Sequence, residues 1–244
     1  DAKHYKAYVA VKHEINEERY RGDHLQPTNS LYLSTCDVMS CFLNAEDRWC
    51  NILHEIHDDS SDPLIALGSV GVGFPTMIRR LHAFIQNFGT PGTVYMTLPR
   101  FDGVEYVNES GQCYNASSRL ITAFLAQNSH LVSEQEAAVW IKQLDTAVAS
   151  NNNHRVRYLL EERFAFLRMM QLVHGFNLRW TFNPTRACLN CLGQYIHEFP
   201  VLPNWVFDSF VGFPLEVELL PDDSVAPITH RSIAERFLNP EPCN

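Results

Sequence analysis

Leu64-Ile65-Ala66-Leu67-Gly68-Ser69-Val70-Gly71-Val72-Gly73, followed at once by Phe74-Pro75, is the stretch that decides the fold class. A run of four apolar residues is the length of a buried strand, and the glycines after it let the chain turn sharply. Pro75 suits the first turn of a helix, on which Met77, Ile78, Leu81, Phe84, Ile85 and Phe88 face inward until Gly89 closes it. Thr93-Val94-Tyr95-Met96 is then the next strand. A helix between two buried strands is a crossover, the connection that parallel neighbours need.

The same rhythm extends in both directions. Upstream, Leu31-Tyr32-Leu33 begins a strand, and Trp49, Ile52, Leu53 and Ile56 lie at helical spacing after Asn44, a good N-cap. Downstream, Ser133-Glu134-Gln135-Glu136 is a capping box for a helix carrying Val139, Ile141, Leu144 and Val148. Asn151-Asn152-Asn153 interrupts it, and a longer helix with Leu159, Leu160, Phe164 and Leu167 runs to Gly175. A strand at 176–182, a helix at 185–196 and a last helix capped by Thr229, with Ile233, Ala234, Phe237 and Leu238, complete the pattern. Residues 31–36, 64–67, 93–97 and 176–182 are therefore expected as parallel neighbours in one sheet covered by helices, an α/β fold. Residues 1–28 read as an N-terminal extension and 29–244 as one domain. Within it, 98–132 reads as an insertion or long loop, and 199–227 as a Pro-rich loop.

Composition narrows the function. The 244 residues are 45% hydrophobic, enough for a real core, and carry a net charge of −9. Such a surface opposes phosphate backbones and anionic lipid, so neither nucleic acid nor membrane is an expected partner. No apolar run reaches the roughly 20 residues that span a bilayer. The first residues, DAKHYKAYVA, lack the apolar stretch of a signal peptide. Seven cysteines are too sparse for a disulfide scaffold, and the lone Cys188/Cys191 pair has no second pair at zinc spacing. Two sequons, at Asn108 and Asn115, would matter only in a secreted product. His54 and His57 share one side of a helix without a third ligand and read as a solvated face. Gly68 to Gly73 lacks both dinucleotide spacing and a Walker lysine. No metal and no cofactor is expected. The aromatic residues of 199–213 read as packing for a long loop.

In open parallel sheets the working crevice lies beyond the carboxyl ends of the strands. Four segments meet that condition: Ser34-Thr35-Cys36-Asp37-Val38-Met39-Ser40, the turn ending at Gly71 or Gly73, Thr97-Leu98-Pro99-Arg100, and Asp222-Asp223-Ser224-Val225-Ala226-Pro227-Ile228-Thr229-His230. Their order resembles that of the SGNH (GDSL-type) hydrolases. Members of that superfamily carry a nucleophile in a GDS motif after the first strand, an oxyanion glycine after the second, a polar donor after the third, and a base in DxxH before the last helix. The resemblance implies a flavodoxin-like three-layer sandwich with a central parallel sheet and long loop insertions. It places Asp37, Val38, Gly71, Gly73, Thr97, Arg100, Asp223 and Ala226 around a shared cleft. Residues 93–106, with Arg100, look like phage-encoded members.

The chain departs from that pattern where the chemistry would be. Either register puts Asp37 or Val38 in the nucleophile slot, and Asp223-Ser224-Val225-Ala226-Pro227 puts Ala226 where the histidine base stands. A serine hydroxyl without a partner to take its proton is a weak nucleophile at neutral pH. The reading is a pseudoenzyme: a structural or binding component of a phage virion (tail, neck or capsid-associated), assembled in the host cytoplasm with other virion proteins. Two alternatives remain open. One is an esterase or deacetylase on acylated carbohydrate through a displaced Ser40/His230/Asp223 triad, with Ser40 the displaced nucleophile and His230 otherwise an exposed first-turn residue. The other is a carbohydrate-binding module using the relic cleft.

Overall fold

The computed structural model describes residues 25–34, 46–57, 61–68, 73–99, 104–107, 113–116, 135, 138–139, 153–220 and 225–240. Four strands form the central sheet: β1 (Ser30–Ser34), β2 (Ile65–Gly68), β3 (Thr93–Leu98) and β6 (Asn177–Phe182), in the order β2-β1-β3-β6. All three pairings are parallel, as the crossover pattern predicts. The register sets Leu31 beside Ile65 and Val94, and Val94 beside Leu178.

Side chains alternate across a strand, so this register sorts two cores. Leu31, Leu33, Ile65, Leu67, Val94, Met96, Leu98, Trp180 and Phe182 face one side. There they meet Phe74, Met77, Leu81 and Phe84 of α2 (Phe74–Phe88) and Leu160, Phe164, Leu167 and Met170 of α3 (Asn153–His174). Tyr32, Ala66 and Tyr95 face the other side, against Trp49, Cys50 and Leu53 of α1 (Trp49–Ile56) and Ile233, Ala234 and Phe237 of α5 (Pro227–Leu238). Helices on both faces of a parallel sheet make the three-layer α/β sandwich. α4 (Arg186–Tyr195) follows β6. Gly89 and Gly175, at φ 92° and 81°, end α2 and α3 in a backbone conformation that side chains with a Cβ rarely take.

Three expectations need correction. Residues 98–132 are not simply loop: β4 (Val104–Val107) and β5 (Cys113–Ala116) pair antiparallel, as the β-branched Val104 and Val107 and the aromatic Tyr106 and Tyr114 favour. Residues 199–227 are not simply loop either. They continue a 3₁₀ helix (Ile196–Val201) and form another (Asn204–Val206), short turns that accommodate Pro200 and Pro203. Ser209–Val211 then lies along β6: the Trp180 amide donates to the Ser209 carbonyl at 2.9 Å and the Val211 amide to the Trp180 carbonyl at 3.0 Å. The segment closes that sheet edge, as the buried Phe199, Leu202, Val206 and Val211 require. Third, Thr229 does not cap α5. Ala226 is the N-cap and Pro227 opens the helix. The Thr229 hydroxyl instead accepts from the Glu218 amide at 2.7 Å and donates to its carbonyl at 3.0 Å. The helix expected at 133–148 lies outside the described residues, except that 135 and 138–139 are helical.

Candidate functional site

Ser34 ends β1 and Thr97 lies one residue before the end of β3, so neighbouring strands bring the two hydroxyls together at the carboxyl end of the sheet. Their oxygens are 2.9 Å apart and both residues are fully buried. Thr97, expected as a polar group of the cleft, has its hydroxyl within hydrogen-bond distance of the neighbouring strand. At the end of β6, the Asn183 carboxamide oxygen accepts from the Thr185 amide at 3.0 Å, while the Asn183 amide donates to the Leu98 carbonyl at 3.3 Å. This turn steers the chain into α4.

Ala226 stands where the resemblance places a base. It is 2% exposed, and its methyl offers no atom to accept a proton. Its amide donates to the Glu218 carbonyl at 3.0 Å, and its own carbonyl accepts from Thr229 and His230. Gly73 is the N-cap of α2, in extended conformation, and its carbonyl accepts from the Met77 amide. Asp37, Val38, Ser40, Gly71, Arg100 and Asp223 lie outside the described residues.

His230 differs from the exposed residue expected at this position. It is fully buried rather than an exposed first-turn residue, and its Nδ1 accepts from the Trp49 amide at 3.2 Å. The N-cap of α1, Arg48, makes no capping bond with its side chain, so an imidazole from the far end of the chain satisfies one of the orphan amides of that helix. A neutral imidazole that accepts at Nδ1 carries its proton on Nε2. A catalytic base needs the reverse: Nδ1–H held by a carboxylate and a bare Nε2 facing the hydroxyl.

The sequence reading missed a cluster on the same side of the sheet. Tyr32 and Tyr95, neighbours in register, stack with ring centroids 5.5 Å apart. The Tyr95 hydroxyl lies 3.1 Å from His57 Nε2, and the Tyr32 hydroxyl 3.5 Å from His54 Nδ1. The two histidines therefore reach phenols of the sheet rather than forming a merely solvated face. Burial pushes both tyrosines above the usual phenol range. Partial burial of its ring, then the charges of Arg179 and His54, hold His57 below the ordinary histidine value. Alternating strand residues Tyr32 and Tyr95 and the i, i+3 spacing of His54 and His57 were the available signals. No three His, Cys, Asp or Glu side chains among the described residues are placed to hold a metal ion. Cys188 is buried.

The His57 shift has a sign. The unfolded chain takes up the proton first as pH falls, so the contribution of His57 is fully present above about pH 6.5 and is lost below it. His57→Gln, which keeps a partner for Tyr95, is expected to flatten the decline in stability between about pH 8 and pH 5. Urea midpoints at the two ends measure it, and an unchanged slope contradicts it.

Neither a protein-family model nor a curated protein sequence matches the chain. Solved structures similar to it include that of TesA, at 10% identity and TM-score 0.49, over 86% of this chain and 95% of that one. A lipolytic protein of the G-D-S-L family from Veillonella parvula is similar at 6% identity and TM-score 0.47, over 86% and 95%. The psychrotrophic esterase EstA from Pseudoalteromonas sp. is similar at 10% identity and TM-score 0.47, over 87% and 96%. The α/β assignment stands on the strand order and register of this chain itself.

Proposed function

We propose that this chain is a non-hydrolytic binding or structural protein built on an esterase-like α/β scaffold. The observation that carries the reading is the buried methyl of Ala226 at the head of α5, where the resemblance places the histidine base. The nearest imidazole on that helix, His230, is committed to the amide of Trp49 with the wrong nitrogen for a base. A fold does not dictate a reaction, so the reading rests on Ala226 and His230 and not on the scaffold. Its partners are other protein chains, and the resemblance of residues 93–106 to phage-encoded proteins makes a virion the setting.

Short-chain nitrophenyl esters and acetylated sugars test this. The wild-type chain is expected to give no turnover above the uncatalysed rate, and Ser40→Ala to leave that result unchanged. Turnover that disappears in Ser40→Ala would restore the displaced-triad esterase. Ala226→His is not expected to create activity, since an acyl-transfer site also needs placement to a fraction of an ångström.

A further inference from the structure

Helix α3 is apolar on two opposite sides. Its inner side, Leu160, Phe164, Leu167 and Met170, is buried against the sheet. On its outer side Phe166 is 42% exposed, Met169 51%, and Leu172 and Val173 72% each. With the exposed Ala165, these residues recur at i, i+3/i+4 and i+7, so they form one stripe. A helix apolar all round is normally covered on both sides, and solvent-facing positions normally carry charge. The exposed Glu162, one turn before Phe166, bounds the stripe at its start.

We infer that this stripe is the contact between two copies of the chain, with the two α3 helices crossing antiparallel about a twofold axis at Met169. The stripe is matched to itself about that residue. Ala165 and Phe166 lie one turn before Met169, and Leu172 and Val173 one turn after. The axis therefore sets Phe166 of each copy against Leu172 of the other, and the small Ala165 against Val173, large and small facing positions that interdigitate. Such a self-complementary patch is what a twofold dimer requires. At the exposures given, these side chains offer roughly 500 Å² per copy, or about 1,000 Å² for the pair, the lower bound of a specific interface. The inference is independent of the crevice and goes beyond the proposed function.

Analytical ultracentrifugation of the full chain across a dilution series tests it. The wild type is expected to show a reversible monomer–dimer equilibrium. Met169→Glu and Leu172→Glu are expected to weaken it roughly a hundredfold or more, because each places unpaired carboxylates in a dry contact. Met169→Cys, on the axis, is expected to cross-link two chains under mild oxidation. Tyr158→Cys lies eleven residues away, about 16 Å along the helix from the axis, and is not. A wild type that stays monomeric overturns the inference, as does a dimer undiminished by either glutamate. So does a glutamate variant whose monomer loses thermal stability without a change in mass, which would mean the stripe is covered from within the chain. Ester turnover in the same samples reports on the crevice separately.

Discussion

Trp180→Ala is expected to remove about 3–5 kcal/mol of stability, the range for deleting a fully buried large aromatic. Trp180 sits at the centre of β6 with no exposed surface. Its ring lies 4.7 Å from Phe210, 5.0 Å from Phe164 and 5.5 Å from Phe182, measured between centroids. The indole Nε1 donates to the Val206 carbonyl at 3.2 Å, and the backbone of the same residue pairs with Ser209 and Val211. One residue therefore ties the sheet, α3 and the segment that covers the β6 edge. Alanine would open a cavity among aromatic rings and leave the Val206 carbonyl without its indole donor. Trp180→Phe, which keeps most of the volume but not the N–H, is expected to cost less, about 1–3 kcal/mol. Urea unfolding followed by circular dichroism measures both. A loss below about 1 kcal/mol for alanine would show that residues 199–213 do not pack on the sheet as described.

What the sequence showed and what it hid divide along one physical line. Leu64 to Leu67 and Thr93 to Met96 were readable because a buried parallel strand is a short apolar run, and α2 because its apolar residues repeat at helical spacing. Gly89 and Gly175 marked helix ends through a local backbone requirement. The head of α5 was readable in outline but misassigned, since Thr229 and Pro227 both signal a helix start and only the contact with Glu218 decides between them. Hidden altogether were groups whose role is set by a distant partner. Thr229, Ser232 and Arg236 share one side of α5 and bind the backbone of Glu218, Glu216 and Phe213. Their spacing is local, but their partners are not. The Tyr32–Tyr95 stack and the link from Ser34 to Thr97 likewise exist only once β1 lies beside β3. The candidate cleft was legible as an order of segments; the use of Thr97 and His230 for structure was not, because hydrogen-bond direction leaves no mark on residue type.

His230→Ala is expected to cost about 2–4 kcal/mol, from the cavity in the interface of α1 and α5 and from the Trp49 amide left without its acceptor. The interface is tight at this point: Trp49 also packs on Phe237 of α5, with ring centroids 5.1 Å apart. His230→Leu separates the two terms. Leucine fills most of the space but accepts no hydrogen bond, so the loss expected is about 1–3 kcal/mol, the cost of one buried amide left unpaired. Loss of a helix cap alone is of similar size, about 1 kcal/mol, which sets the lower end. A catalytic histidine behaves in the opposite way, because its removal abolishes turnover while the fold tolerates it. Denaturation midpoints and amide exchange at Trp49 in the two variants distinguish these roles. Variants as stable as the wild type, with unchanged protection at Trp49, would release His230 from its structural task and return it to the list of possible bases. A large loss of stability, with the Trp49 amide exposed, fixes it as the cap of α1 and leaves α5 without a catalytic histidine.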